Sequence, residues 1–423
     1  MYTSGFGLFS AMPQRSIHWM FMGACIFLLF PFKKKGKITI VDVIFSILLA
    51  ITTMYVILTW EKNALRLAEP KIWETIISII GILLVLEATR RSLGAAMPII
   101  AIIAIAYAYF GPYFPGMIKH KGYSITNLVS FLFTTTEGIF GLAMGVSATY
   151  IIIFVLFGSF LAKSGAGQLF VDLSLTSTGK YRSGPAQATI LSNALMGIIS
   201  GSPVANVVTV GSFTLPLLDS AKYPKVRGAA LLAVAATGSM FTPPVMGAGA
   251  FLIADYLSVS YGKVIMAAII PAALFYISVV VYADVTAEKA GLVGLKKEEL
   301  PDWKGAIKGK GLLLIPIILL VGLIIYGWSP LKSAFWCVIL IFVLSSVKRS
   351  THMSLDSIKS ALIAGSKDTL TVAAACACAG IIVGVVSGTG IGVKFSSFLI
   401  QLADKSVMLT LVFTMIACII MGM

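Results

Sequence analysis

The sequence predicts an all-α polytopic membrane protein of about ten transmembrane helices with one re-entrant helical hairpin. Three observations predict it. The 423 residues are 58% hydrophobic and only 12% charged, with a mean hydropathy of +0.97, far above the roughly half-apolar makeup of a soluble domain. The apolar residues come in long blocks. One block, ISGSPVANVVTVGSFTLPLL (199–218), is apolar throughout but is broken by Gly201, Ser202 and Pro203 before either half reaches the roughly 20 residues that cross a bilayer as a helix.

Along the chain, spans are expected near 17–32, 40–60, 72–89, 93–111 and 140–162, followed by the broken stretch at 185–219. Further spans are expected at 226–257, 263–284, 311–327, 333–347 and about 360–387, with a last apolar run at 406–423. Residues 17–32 resemble a signal peptide, but KKKGK (33–37) follows instead of a small-residue cleavage site, so they read as a retained first span. Residues 123–137 and 391–403 are shorter and mixed in polarity, and read as helices lying at the interface. The polar connection 286–310 is the seam between halves. The chain thus divides into N-terminal helices (1–111), a first half (112–310) and a second half (311–423). All five cysteines lie in apolar runs, where a thiol behaves as a small hydrophobe, so no disulfide framework or metal site follows from them.

The net charge of +15 is spread among the loops, which points to membrane orientation and not to a nucleic-acid partner. If residues 33–37 are cytoplasmic, alternating the loops puts 22 of the 32 Lys and Arg inside and 10 outside. The assignment holds only if 185–219 enters and leaves on the cytoplasmic side, because both flanking segments, GKYRSG and KYPKVR, are basic. The broken stretch is therefore expected to be a re-entrant hairpin.

Backbone groups freed at a helix break cannot face lipid. They must be buried in protein or line a polar cavity, and transporters hold ions and substrate in such cavities. At the expected tip, Ser200, Gly201, Ser202 and Pro203 present carbonyl and hydroxyl oxygens, hard ligands suited to Na⁺, and Asn206 and Thr209 follow on the second arm. A second break, at Thr242-Pro243-Pro244 within AATGSMFTPPVMGAGAF (235–251), removes two backbone donors. Thr237, Gly238, Ser239 and Thr242 can then face the tip. Ser200, Ser202 and Thr242 are the expected Na⁺ ligands. The competing reading makes Gly-Ser-Pro a plain loop and Thr-Pro-Pro a proline kink, with the small residues serving helix packing.

SGAGQLF (164–170) returns as TGIGVKF (389–395), each time after a full span and before a broken or unfinished apolar segment. The charge count puts the two copies on opposite sides, as in an inverted-topology repeat. The second hairpin's first arm is then 406–423, and the sequence is expected to be a fragment that stops at the apex and does not transport as it stands. No Gly-rich nucleotide loop with Lys is present, and no Ser–His or paired-carboxylate constellation, so neither ATP hydrolysis nor a membrane enzyme is expected. Asp42, Glu87, Asp172, Asp219, Asp255 and Asp284 lie toward the ends of apolar segments, which favours cation coupling through hydroxyl and backbone oxygens over a carboxylate proton relay.

EATRR (87–91), FGPYFPG (110–116), TTEGIFG (135–141), GVSATYIIIFVLFGSFL (145–161), SGAG (164–167), GSPVANVVTVGSFTLPL (201–217) and PPVMGAGAF (243–251) resemble the fused permease of tripartite ATP-independent periplasmic (TRAP) transporters. The likeness runs from about residue 80 to the C-terminus. It implies an elevator-type secondary transporter in a prokaryotic inner membrane, driven by Na⁺, supplied by a soluble periplasmic substrate-binding protein and usually carrying organic acids. The spans before residue 112 look like the joined small subunit. The resemblance maps the ion and substrate region onto Ser200 to Pro203, Asn206, and Thr237 to Pro244. The chain departs from the family pattern at Leu232, where a Glu is common, at Ser239-Met240, where Gly-Gln is common, and in lacking the second tip's Gly-Leu-Pro-Thr-Thr-like continuation. The rival functions are a channel of the same architecture and a membrane scaffold or enzyme without transport.

Overall fold

The computed structural model describes residues 2–5, 7, 9–32, 37–64, 70–296, 298, 300–347, 352–402 and 406–422. Of the basic residues in the charge count, Lys33 to Lys35, Arg66, Lys297, Lys348, Arg349 and Lys405 lie outside these, as does Met423 at the end of the expected second arm.

Every regular element among the described residues is helical. In chain order the helices are α1 (Tyr2–Gly5), α2 (Ala11–Leu29), α3 (Ile40–Ala64), α4 (Ile72–Leu93), α5 (Ala96–Phe110), α6 (Ile125–Thr134) and α7 (Leu142–Val146). They continue with α8 (Ile152–Lys163), α9 (Ala166–Thr178), α10 (Gly184–Ser200), α11 (Pro203–Ser220), α12 (Lys225–Thr237), α13 (Ala248–Tyr256) and α14 (Tyr261–Lys289). The last are α15 (Trp303–Lys310), α16 (Ile315–Ile325), α17 (Pro330–Val347), α18 (Leu355–Thr389), α19 (Ile391–Leu402) and α20 (Val407–Gly422). A π-helical segment, Ser147–Ile151, joins α7 to α8.

Among the described residues, six helical stretches are long and apolar enough to cross a membrane: Ile40–Lys62, Ile72–Leu93, Ala96–Tyr113, Leu142–Lys163, Tyr261–Lys289 and Leu355–Thr389. The other expected spans appear as shorter or interrupted helices. The expected span at 226–257 is two separate helices, α12 and α13, because the Gly-Ser and Pro-Pro sequence between them supports no continuous ladder. Residues 163–182, read as a loop, hold the 13-residue helix α9, whose Leu169, Phe170 and Val171 are buried. The polar connection 286–310 is also partly helical: α14 runs on to Lys289, and Asp302 caps α15 by accepting hydrogen bonds from the Lys304 and Gly305 N–H groups.

The chain forms two compact units, one from residues 10–145 with 373–423, the other from 1–9 with 146–372. In the first, the carboxylates at helix ends find buried partners. Arg91 at the end of α4 pairs with Asp42 at 2.6 Å and Glu87 at 2.8 Å, and its guanidinium lies 5.0 Å from the Phe27 ring centroid and 5.3 Å from that of Phe45. Asp42 also accepts from the Thr39 N–H and hydroxyl and from the Phe32 N–H, which fixes the entry to α3. Thr89 donates to the Ala374 carbonyl oxygen, holding α4 against the second part of α18. In the other unit, α10 and α11 pack side by side, and Ala186, Ile190, Leu218, Leu231, Val279 and Ala283 join them to α12 and α14 in one apolar core.

The repeated motif adopts one local geometry twice. A long helix ends at Lys163 or Thr389, a left-handed glycine follows (Gly165, φ +98°; Gly390, φ +67°), and a helix of 13 or 12 residues begins at once.

Candidate functional site

The break inside the apolar stretch is a two-residue turn. Helix α10 ends on Gly201 at φ +56°, and α11 begins with Ser202 as N-cap and Pro203 at its first position. Each choice is physical: glycine takes the left-handed cap, the serine hydroxyl accepts from the Ala205 N–H, and proline has no donor to lose at N1. The arms, 17 and 18 residues, are about 26 Å long at 1.5 Å per residue, short of a bilayer's apolar core.

Polar side chains bind the tip together. Ser200 Oγ donates to Asn206 Oδ1 at 2.5 Å and accepts from the Ser202 N–H at 3.3 Å. Asn206, fully buried, also donates from Nδ2 to the Asn193 carbonyl oxygen at 3.3 Å, tying the second arm to the first.

The second break lies against this tip within the same unit. After α12 the chain makes a 3-10 turn, Gly238–Met240, then runs without regular helix to α13. A Cβ on Gly197 would stand 2.9 Å from Ser239 Cα and 3.3 Å from Thr242 Cβ, and a Cβ on Gly201 would run into the Met246 carbonyl oxygen. Only glycine permits either approach. Met246 is itself left-handed at φ +54°, a sparsely populated conformation for a side-chain-bearing residue.

The structure therefore brings Ser200, Gly201, Ser202, Pro203 and Asn206 to one tip and sets Gly238, Ser239 and Thr242 beside its first arm. Thr242, 7% exposed, donates to the Gly238 carbonyl oxygen at 2.7 Å and shares a 2.9 Å hydrogen bond with the Tyr276 hydroxyl. Pro243 and Pro244 shape the loop, and the Tyr261 hydroxyl lies 2.8 Å from the Pro244 carbonyl oxygen and 2.6 Å from that of Val245. Thr237 stands apart: its hydroxyl bonds back to Ala233 O on an exposed face. Thr209 packs its methyl toward Gly167 of α9. Leu232 is buried against Gly211 on the second arm, an apolar contact.

Two fully buried oxygens here, Ser239 Oγ and Asn193 Oδ1, have no hydrogen-bond partner among the described residues. Such groups cost about 1–3 kcal/mol each when unsatisfied, and both are hard oxygen donors on the elements that meet at the tip. Sequence reading placed Ser239 near the tip but overlooked Asn193, Tyr261 and Tyr276. Tyr276 lies mid-way along an apolar span, where nothing local marks it; Asn193 is an amide in the middle of the first arm's apolar run, a signal that was available.

Fold and site together define an integral membrane protein built from helices interrupted within apolar segments. Residues 80–423 match the family model described as the tripartite ATP-independent periplasmic transporter, DctM component, and the chain belongs to that family. It is 28% identical over 212 residues to the C4-dicarboxylate TRAP transporter large permease protein DctM of Pseudomonas aeruginosa, covering 50% of this chain and 48% of that protein. It is 26% identical over 275 residues to the 2,3-diketo-L-gulonate TRAP transporter large permease protein YiaN of Escherichia coli, covering 64% of this chain and 63% of the relative. The isethionate TRAP transporter permease protein DctMQ of Oleidesulfovibrio alaskensis is 30% identical over 190 residues, covering 43% of this chain and 28% of that protein. The matches thus span less than two thirds of these relatives' own length. The relatives are permeases, in keeping with the expectation of a transport protein and not an enzyme.

Proposed function

We propose that the chain is the membrane permease of a secondary, Na⁺-coupled uptake system for an organic acid, working in the inner membrane with a periplasmic substrate-binding protein. The observation that carries this reading is the meeting of the hairpin tip with the Thr-Pro-Pro break, where hydroxyl, amide and carbonyl oxygens lie on the elements that meet and two buried oxygens lack partners among the described residues. Ser200 and Ser202 each keep a lone pair beyond their hydrogen bonds, and Thr242 is positioned by Tyr276, so all three can turn oxygen toward one Na⁺. The N-terminal end of α11 favours an anionic group beside that ion. Movement of such a hairpin against a fixed part of the protein is the elevator reading, and the spans before residue 112 act as the joined small-subunit part.

Proteoliposomes carrying the protein and its binding protein test the ion site. Ser202→Ala and Thr242→Val are expected to raise the Na⁺ concentration for half-maximal uptake by one to two decades, the worth of a contact to a charged group of roughly 1.5–3 kcal/mol. Ser202→Gly separates the roles of the hydroxyl, because glycine is nearly as good an N-cap as serine but ligates nothing. If both Ser202 variants keep the parental Na⁺ dependence while uptake persists, the ion sits elsewhere and the breaks are hinges.

A further inference from the structure

A groove of about 670 Å³ opens at the base of the hairpin, far along the arms from the tip. One wall is polar and basic, with Lys180 and Arg182 just before α10; the other is the C-terminal part of α14, with Val280, Val281, Val285 and Asp284. Helix α14 has the most apolar stretch of the six helices long enough to cross a membrane, yet little of that stretch is buried, and Val281 and Val285 are 56% and 42% exposed.

The charges in this groove are arranged, not scattered. Asp284 takes Arg182 Nε at 3.1 Å and Nη2 at 2.6 Å and also accepts from Ser183 Oγ, while Glu288 stands 3.1 Å from the same Nη2. The guanidinium is thereby fixed through Nε and Nη2. Lys180 lies 5.4 Å from the Tyr181 ring centroid and has no carboxylate partner among the described residues. Asp284 and Glu288 both hold Arg182, so Lys180 is the cation left without a carboxylate among the described residues, bordered by apolar side chains at the end of a long span.

From this juxtaposition we infer that the groove is a binding site for one anionic phospholipid. Its phosphate is held by Lys180 and Arg182, and an acyl chain lies along Val280, Val281 and Val285. A free phosphate has no use for the valine wall. A zwitterionic lipid presents its own cation to Lys180 and gains less. The inference rests on α14 crossing the membrane and is independent of where Na⁺ binds.

The test is native mass spectrometry of the purified, delipidated protein titrated with dioleoyl-phosphatidylglycerol, dioleoyl-phosphatidylcholine or glycerol 3-phosphate. One phosphatidylglycerol should be retained at least tenfold more tightly than phosphatidylcholine. Lys180→Gln, an exposed change, should weaken it about fivefold, the usual worth of one basic residue at a membrane surface. Asp284→Asn removes the carboxylate that lines the groove while keeping an acceptor for Arg182, and should tighten phosphatidylglycerol, a gain that misfolding cannot imitate. Lys222→Gln, outside the groove, should change nothing. Equal retention of both lipids, no response to Lys180→Gln, or binding of glycerol 3-phosphate as tight as that of phosphatidylglycerol would overturn the proposal.

Discussion

At Arg91 the sequence carries a charge that a loop count assigns to solvent, and the structure buries it. The side chain is 3% exposed, its Asp42 partner fully buried, and three phenylalanine rings, Phe27, Phe32 and Phe45, lie around the guanidinium. Burying two charges is worthwhile only when their hydrogen bonds are nearly complete, and removing one partner leaves the other uncompensated. Arg91→Met should therefore destabilise the protein by about 3–5 kcal/mol, seen as a lowered melting temperature in detergent. Adding Asp42→Asn to it should restore part of that loss. If the single variant melts like the parent, the pair contributes nothing and the Phe32–Thr39 entry to α3 holds by itself. Asn206 illustrates the same logic without charge, since one amide on α11 satisfies both Ser200 and the Asn193 carbonyl on α10.

The elements legible in the sequence were those whose signal is local. Gly201, Ser202 and Pro203 spell a helix stop and restart, and the turn falls on them. Thr242-Pro243-Pro244 marked the second break, and the gap there, from 238 to 247, separates two short helices within the span expected to be broken. What was illegible depends on neighbours: that Tyr276 reaches Thr242, or that Gly197 lets the 3-10 turn close on α10, is written in no local pattern. Helix α9 is a different kind of miss. Its Gln168, Asp172 and several Ser and Thr dilute the apolar signal, yet the match of SGAGQLF to TGIGVKF, whose second copy was read as opening a helix, implied one in the first copy too. The shared geometry gives an element-level prediction. Gly165 and Gly390 are both left-handed, a Cβ on either meets nothing nearer than 3.6 Å, and so alanine there tests backbone strain alone. Gly165→Ala and Gly390→Ala should each destabilise by about 1–2 kcal/mol, with closely similar shifts in thermal unfolding. A shift at one and none at the other would separate the two copies.

For the molecule as a whole, orientation follows from where the charges lie relative to the hairpin. The arms α10 and α11 are of nearly equal length and joined by two residues, so Lys180 and Arg182 before the first and Lys222, Lys225 and Arg227 after the second lie at the same end of the hairpin. A membrane potential and an anionic inner leaflet favour such clusters on the cytoplasmic side. The connection after α14 belongs at that end as well: the Leu295 N–H donates to the Gly179 carbonyl oxygen, and Arg182 binds Asp284 near the close of α14. The same end therefore carries three basic segments, 180–182, 222–227 and 289–310. Single cysteines replacing Lys225 and Lys304, in a background freed of the five native thiols, should resist a membrane-impermeant maleimide in intact cells and react once the membrane is opened. A cysteine replacing Lys121, on the loop between α5 and α6, should react in intact cells. If Lys225→Cys labels from outside while Lys304→Cys does not, the hairpin crosses the membrane instead of re-entering it, and the tip is no longer the place where an ion can be held at mid-depth.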